Sequence, residues 1–162
     1  MTAPGPATRP LHGVRVVDLT TMISGPMTTA ILADQGADVI KIEPPGRGDG
    51  IRHLGASRGG VSAIFQTLNR GKRSLVLDLK QPADLGVLHR LVATADVFIQ
   101  NLRPRVAERL GVGESELRRS RPDLVYVSVS GFGEHGPGVL AIFGREGEAA
   151  PGAGHRGPAA PR

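Results

Sequence analysis

Short runs rich in valine and isoleucine alternate with helix-like segments along most of the chain, and this alternation restricts the fold more than any other feature. The runs predict buried strands at residues 13–19, 38–43, 74–79, 96–100 and 124–130. Helices are predicted at residues 27–35, 62–69, 82–93, 105–110 and 114–119. Because strands that alternate with helices form parallel sheets through right-handed crossovers, we predict a doubly wound, Rossmann-like α/β domain.

The first strand-to-helix turn is a candidate ligand loop. Ligands of open parallel sheets bind beyond the carboxyl ends of the strands, and residues 20–26 follow the first strand. Ser24 is a candidate N-cap, Pro26 suits a first helical turn, and Gly36 stands where a glycine ends a helix. The hydroxyls and the helix N-terminus of this turn suit a phosphate, although an ordinary turn has the same spacing.

The composition is typical of a globular protein that acts on anionic molecules. The chain has a net charge of +5, 40% hydrophobic residues and no cysteine. Its apolar runs are shorter than the ~20 residues of a membrane span, and its opening lacks a signal peptide's apolar core, so we expect a cytoplasmic protein. One tyrosine, four phenylalanines and no tryptophan leave few rings to stack on bases. Phosphorylated small molecules are therefore favoured over nucleic acid as partners.

The sequence divides into three segments. We predict a flexible N-terminus over residues 1–10, a folded domain over residues 11–137 and a tail over residues 138–162. The tail is mostly glycine, alanine and proline with scattered arginine, and it contains no aspartate or lysine. We expect it to be disordered, because it cannot bury enough apolar surface to order itself. Translation of a GC-rich gene in a shifted frame gives the same composition, in which case another frame after Pro137 encodes a continuation.

Several common site motifs fit poorly. The dinucleotide fingerprint G-x-G-x-x-G is absent from the first turn, where Gly25 stands alone. Gly71 and Lys72 do not form a P-loop, because Arg73 replaces the serine or threonine that would bind magnesium. Residues 55–59 match G-x-S-x-G, but no buried strand precedes them, so we predict a loop rather than a nucleophile elbow.

Histidine and basic residues give weaker signals. The five histidines lack metal-ligand spacing, so no metal is predicted, and His135 in a glycine-rich loop is a weak acid–base candidate. Asn101 follows the fourth strand and is a candidate donor to a nucleotide or pantetheine group. The basic residues that border strands suit a diphosphate, or form a solvated face: Lys72, Arg73, Arg103, Arg105 and Arg109.

Six sequence blocks stand in a distinctive order between Leu11 and Pro137: LHGVRVVDLTTMISGP, LADQGADVIKIEPPGRGD, NRGKRSLVLDL, ADVFIQNLRP, ERLGV and RPDLVYVSVSGFGEHGP. This order resembles the family III CoA-transferases (the CaiB/BaiF group), which include formyl-CoA transferase and α-methylacyl-CoA racemase. The resemblance implies an incomplete Rossmann-like large domain, with a smaller second domain and an interlocked homodimer in complete members. It also implies acyl-CoA and a carboxylic acid as substrates, with no permanently bound cofactor.

The resemblance also implies where coenzyme A binds. By matching position, the residues expected to contact it are Ile23, Ser24, Asn69, Lys72, Asn101, Leu102, Arg103 and Arg109. Pro44 stands where some members of the family carry an arginine that contacts CoA.

The family's chemistry implies that this chain lacks the catalytic group. Its transferases use an aspartate carboxylate that attacks the thioester and forms an acyl-enzyme anhydride. Its racemases use a histidine and aspartate pair to move the α-proton. Both sets follow the last block, whereas no aspartate follows Asp123 here. We therefore expect a truncated transferase, inactive alone; a racemase fragment, a non-enzymatic CoA-binding module and a product that does not fold stably remain alternatives.

Overall fold

The computed structural model describes residues 9–131. Their strands are β1 (Arg15–Leu19), β2 (Asp38–Glu43), β3 (Ser57–Arg58), β4 (Val61–Ser62), β5 (Arg73–Val76), β6 (Val97–Gln100) and β7 (Val125–Ser128). Their helices are α1 (Ser24–Asp34), α2 (Ala63–Asn69), α3 (Pro82–Val92), α4 (Val106–Arg109) and α5 (Glu114–Ser120), with a 3₁₀ turn at Gly50–His53.

Five strands form one parallel sheet in the order β5-β2-β1-β6-β7. The chain adds strands to one side of β1 and then crosses to add β6 and β7 on the other side. Helix α1 packs against α2, and α3 packs against α5. The predicted doubly wound, Rossmann-like fold is confirmed, and its topological switch point lies between β1 and β6.

Two apolar clusters pack on opposite faces of the sheet, because side chains alternate along each strand. Val17 and Phe98 join one cluster with residues of α3 and α5, including Leu88. Val16 and Ile99, their strand neighbours, join the other cluster with residues of α1. The central strands are therefore buried on both faces, as parallel sheets require.

The strand and helix predictions agree with the structure closely in the centre of the sheet and less well at its ends. The second strand was predicted with the observed bounds. The third predicted strand is β5, and it ends at Val76 rather than residue 79. The chain turns toward α3 there, because the Asp84 carboxylate accepts a hydrogen bond from the Asp78 N–H. The hairpin of β3 and β4 was missed, since two-residue strands show no periodicity.

The predicted cap of the first helix is wrong. Ser24 is the first residue of α1, and Ile23 occupies the N-cap position without a side-chain hydrogen bond. Pro26 lies in the first turn as predicted, and Gly36 follows the C-cap with a φ of 104°. The N-terminus of α1 is thus not satisfied by its own capping side chain.

Several predictions lie outside the described residues. These are the disordered or frame-shifted tail at 138–162, the loop that contains His135 and all but two residues of the flexible N-terminus. None of the helices within residues 9–131 has the length and apolarity needed to cross a membrane.

Candidate functional site

The loops that follow β1 and β6 face each other across the switch point, and one side chain bridges them. Asn101 Oδ1 accepts a hydrogen bond from the Thr21 N–H, and Asn101 Nδ2 donates to the Thr21 carbonyl, both at 2.8 Å. We use the word crevice for the space between these two loops at the carboxyl edge of the sheet, which is the place where ligands of doubly wound sheets bind. The structure therefore brings the predicted residue Asn101 to the expected place but pairs its amide with the protein backbone.

The turn at residues 20–22 is held from two further directions. Lys41 of β2 donates from Nζ to the Thr20 carbonyl at 2.7 Å. Asp49 Oδ1 accepts from the Met22 N–H at 3.1 Å. Met22 itself adopts a left-handed backbone with a φ of 68°, which costs about 1–2 kcal/mol in a residue with a side chain. Side-chain contacts from outside the turn thus maintain a strained conformation beside the helix N-terminus.

A second strained residue lies in the loop beyond β6. Arg105, the N-cap residue of α4, has a φ of 64°. Within residues 9–131, Met22 and Arg105 are the two non-glycine residues with positive φ. Both belong to loops at the switch point, and strained backbone of this kind clusters at binding and catalytic sites.

A buried ion pair lies beneath the turn. Lys72 Nζ contacts Asp18 Oδ2 at 3.0 Å, and the two side chains are 1% and 0% exposed. The Lys72 ammonium also donates to the Pro26 carbonyl and to Asn69 Oδ1, both at 2.8 Å. Asp18 accepts from the hydroxyls of Thr20 and Thr29 as well. The predicted residues Asn69 and Lys72 therefore contact each other, and the Lys72 ammonium is bound to the carboxylate of Asp18 and to the Pro26 carbonyl of α1.

The environment shifts the pKa of both members of this pair. Burial raises the pKa of Asp18, but the charges of Lys72 and Lys41 and two threonine hydroxyls bring it below its ordinary value. Burial lowers the pKa of Lys72, and the Asp18 carboxylate only partly reverses this effect. The carboxylate stays ionised and the pair is a structural tie between β1, α1 and α2.

A second charged cluster follows β2. Arg52 donates to Glu43 from Nε at 2.8 Å and from the guanidinium end at 2.6 Å, while Ser74 and the Asp49 N–H complete the carboxylate's partners. Burial raises the pKa of Glu43, but these hydrogen bonds outweigh it and lower the pKa to about 2. Asp49 pairs with Lys41 at 3.0 Å. The loop after β2 is thereby fixed against the sheet.

The remaining predicted site residues reach the surface. Ile23 is 53% exposed, and Ser24 beside it is exposed at the start of α1. Arg103 and Arg109 are exposed beyond β6, whereas Leu102 is half-buried against the core. One side of the crevice, after β1, thus presents an apolar side chain and a hydroxyl group. The other side, after β6, presents two guanidinium groups. Such a pair of surfaces suits an anionic ligand with an apolar part.

Sequence reasoning missed the residues that hold the turn, although a signal was present. Asp18 and Lys41 are charged residues inside runs that predict fully buried strands. A charge in such a position requires a partner, so two opposite charges near the ends of neighbouring strands indicate a buried pair or network. Asp49 carried no such signal, because it lies in a loop rich in glycine.

The G-x-S-x-G match does not form a nucleophile elbow. Ser57 of the G-x-S-x-G match is exposed on β3, in a hairpin rather than a strand-to-helix elbow. Among residues 9–131 no group of three histidine, aspartate or glutamate side chains is arranged to hold a metal ion.

The sequence is similar to a known protein family and to characterised members of it. The family model described as CoA-transferase family III matches residues 11–140. The acetyl-CoA:oxalate CoA-transferase of Acetobacter aceti is 46% identical over 136 residues, which are 84% of this chain and 35% of that protein. The human succinyl-CoA:glutarate CoA-transferase is 37% identical over 130 residues, 80% of this chain and 30% of that protein.

Solved structures agree with the sequence comparison. A CaiB/BaiF family protein from Brucella suis superposes with a TM-score of 0.77 at 38% identity, over 82% of this chain and 36% of that one. Rv3272 from Mycobacterium tuberculosis superposes with a TM-score of 0.76, over 83% of this chain and 37% of that one. The chain spans about a third of the length of the relatives it matches. On the family match and these identities, the chain belongs to CoA-transferase family III.

Proposed function

We propose that this chain forms the coenzyme A-binding part of an enzyme that moves CoA between an acyl-CoA and a carboxylic acid. The observation that carries the proposal is the set of exposed residues at the switch point, with Ile23 and Ser24 at the start of α1 and Arg103 and Arg109 beyond β6. Guanidinium groups suit the phosphates of CoA, and apolar side chains suit its pantetheine arm.

The predicted contact residues divide into two roles in this proposal. Five of them are at least partly exposed to solvent and line the path of the coenzyme: Ile23, Ser24, Leu102, Arg103 and Arg109. The polar groups of Asn69, Lys72 and Asn101 are already engaged within the protein, so these three residues shape the site instead.

The family's carboxylate chemistry has no candidate nucleophile among the groups beneath this crevice. Asp18, Glu43 and Asp49 are buried, and each is paired with a lysine or an arginine. A carboxylate that attacks a thioester must reach it, which these three side chains cannot do without breaking ion pairs. We propose that the chain binds CoA and that it does not catalyse the transfer reaction by itself.

Small dicarboxylic acids are the acceptors proposed for the transfer. Oxalate, D-citramalate and glutarate appear in the names of the relatives from Acetobacter aceti, Chloroflexus aurantiacus and Homo sapiens. The cytoplasmic location expected from the sequence remains a prediction, and the homodimer is implied by the resemblance for complete members of the family.

Isothermal titration of the chain with coenzyme A tests the binding proposal. We expect Arg109→Gln to weaken binding about tenfold to a hundredfold, because a hydrogen bond to a charged group contributes about 1.5–3 kcal/mol. Arg90→Gln is the matched control, since Arg90 is also an exposed arginine and lies in the last turn of α3, at the opposite edge of the sheet. Absence of CoA binding by the wild-type chain, or equal weakening by both variants, contradicts the proposed site.

A transfer assay tests the proposal on turnover. With acetyl-CoA and oxalate, the purified chain should bind the thioester and release no more CoA than a buffer control. Sustained formation of oxalyl-CoA would show that a residue of this chain performs the chemistry, and would contradict that part of the proposal.

A further inference from the structure

The side chain of Asn101 is placed to set the shape of the first loop. It makes two hydrogen bonds to the Thr21 backbone across the crevice, and its amide spans two loops that no strand pairing joins at that point. The neighbouring residue, Met22, has the left-handed backbone. Fixing both backbone groups of Thr21 restricts the rotation that would let Met22 relax.

Two other residues fix the turn on either side of Thr21. Lys41 binds the Thr20 carbonyl, and Asp49 binds the Met22 N–H. Lys41 and Asp49 are 1% exposed, and they pair with each other at 3.0 Å. Three consecutive residues are thus held by side chains from β2, from the loop after it and from the loop after β6.

We propose that Asn101 is a positioning residue, which with Lys41 and Asp49 keeps the turn at residues 20–22 in the conformation that presents Ile23 and Ser24 to the coenzyme. This inference rests on the proposed function. Its physical basis is that a ligand binds more weakly when the competent conformation is only partly populated, in proportion to that population. Asn101 acts through the turn and not through a contact of its own amide with CoA.

A double-mutant cycle tests the proposal with coenzyme A as the probe. Asn101→Ala frees the Thr21 backbone, and we expect the Kd for CoA to rise about tenfold as Met22 relaxes. Met22→Gly removes the penalty for positive φ. In that background Asn101→Ala should raise the Kd only about twofold to threefold, because less strain remains for the amide to oppose.

Thr94→Ala is the matched control, because Thr94 makes two side-chain hydrogen bonds just before β6, at the opposite edge from Asn101. It should lower the melting temperature without changing the Kd. If Asn101→Ala does the same, its role is only structural and the inference fails. An equal loss of affinity in both Met22 backgrounds indicates a direct contact with CoA and also overturns it. If the wild-type chain binds no CoA, the proposed function fails and this inference fails with it.

Discussion

At the scale of single residues, Glu43 provides a test that depends on pH. Its pKa falls from 4.5 to about 2 in the folded protein. A lowered pKa stabilises the fold above pH 4.5, and this stabilisation disappears as the pH falls toward 2. We expect the free energy of unfolding of Glu43→Gln to lie about 3 kcal/mol below that of the wild type at pH 7. The difference should shrink between pH 4.5 and 2 in urea unfolding followed by circular dichroism.

Glu114→Gln is the control for that measurement. Glu114 forms an exposed pair with Arg118 within α5, and such pairs contribute about 0.3–0.5 kcal/mol. A gap between the wild type and Glu43→Gln that stays constant with pH would show that Glu43 stabilises the loop without its charge.

The same scale shows why only part of the site was predictable. Lys72 was singled out as a basic residue at the edge of a strand, and that description fits a phosphate ligand and a buried partner equally well. The residues around Lys72 do not indicate the direction of its ammonium group, because its partner Asp18 lies 54 positions away along the chain. The exposure of Ser24 follows from its place at the strand-to-helix junction, whereas its contact with coenzyme A stays a prediction.

At the scale of elements, the junction of β1 and α1 depends on a close approach that only glycine permits. A Cβ at Gly25 would lie 2.5 Å from Thr20 Cγ2 and 2.7 Å from Thr20 Oγ1. Thr20 is fully buried and hydrogen-bonded to Asp18, so it has no room to move. Gly25→Ala should lower the free energy of unfolding by about 1–3 kcal/mol and weaken CoA binding. Thermal unfolding and titration calorimetry measure the two effects.

Gly86→Ala is the companion substitution, because Gly86 lies inside α3 with its nearest contact, Arg90 Nη1, at 3.7 Å from the new methyl group. Replacing a helical glycine with alanine stabilises by about 0.5–1 kcal/mol. A similar loss of stability in both variants would mean that a close contact such as the one with Thr20 is not needed to explain the effect of Gly25→Ala.

The order of elements followed from the sequence more completely than the bounds or the contacts did. Buried strands such as β2 are marked by short runs rich in valine and isoleucine, and the alternation of strands with helices leaves few topologies. The start of α1 was misplaced because Ser24 is a good capping residue by type, whereas the turn is held instead by Lys41, Asp49 and Asn101. Long-range side-chain contacts overrode a local preference there.

At the scale of the whole molecule, a coenzyme bound at the proposed site would contact two halves of the sheet, which extend from the switch point in opposite directions. One half is β5-β2-β1 and the other is β6-β7, while α1 packs on one face of the sheet and α3 and α5 pack on the other. Bound CoA should therefore suppress local opening of the loops after β1 and β6 together. The turns before these strands, at the amino edge, have no reason to change.

Hydrogen exchange followed by mass spectrometry measures this coupling. With saturating CoA, we expect slower exchange at residues 20–24 and 101–105, and unchanged exchange at residues 11–14 and 93–96. These segments flank the same two strands, β1 and β6, so each strand supplies its own internal control. Slowing in only one of the two loops would place the coenzyme on one half of the sheet. Equal slowing at both edges would indicate general stabilisation by ligand, and would contradict a site at the switch point.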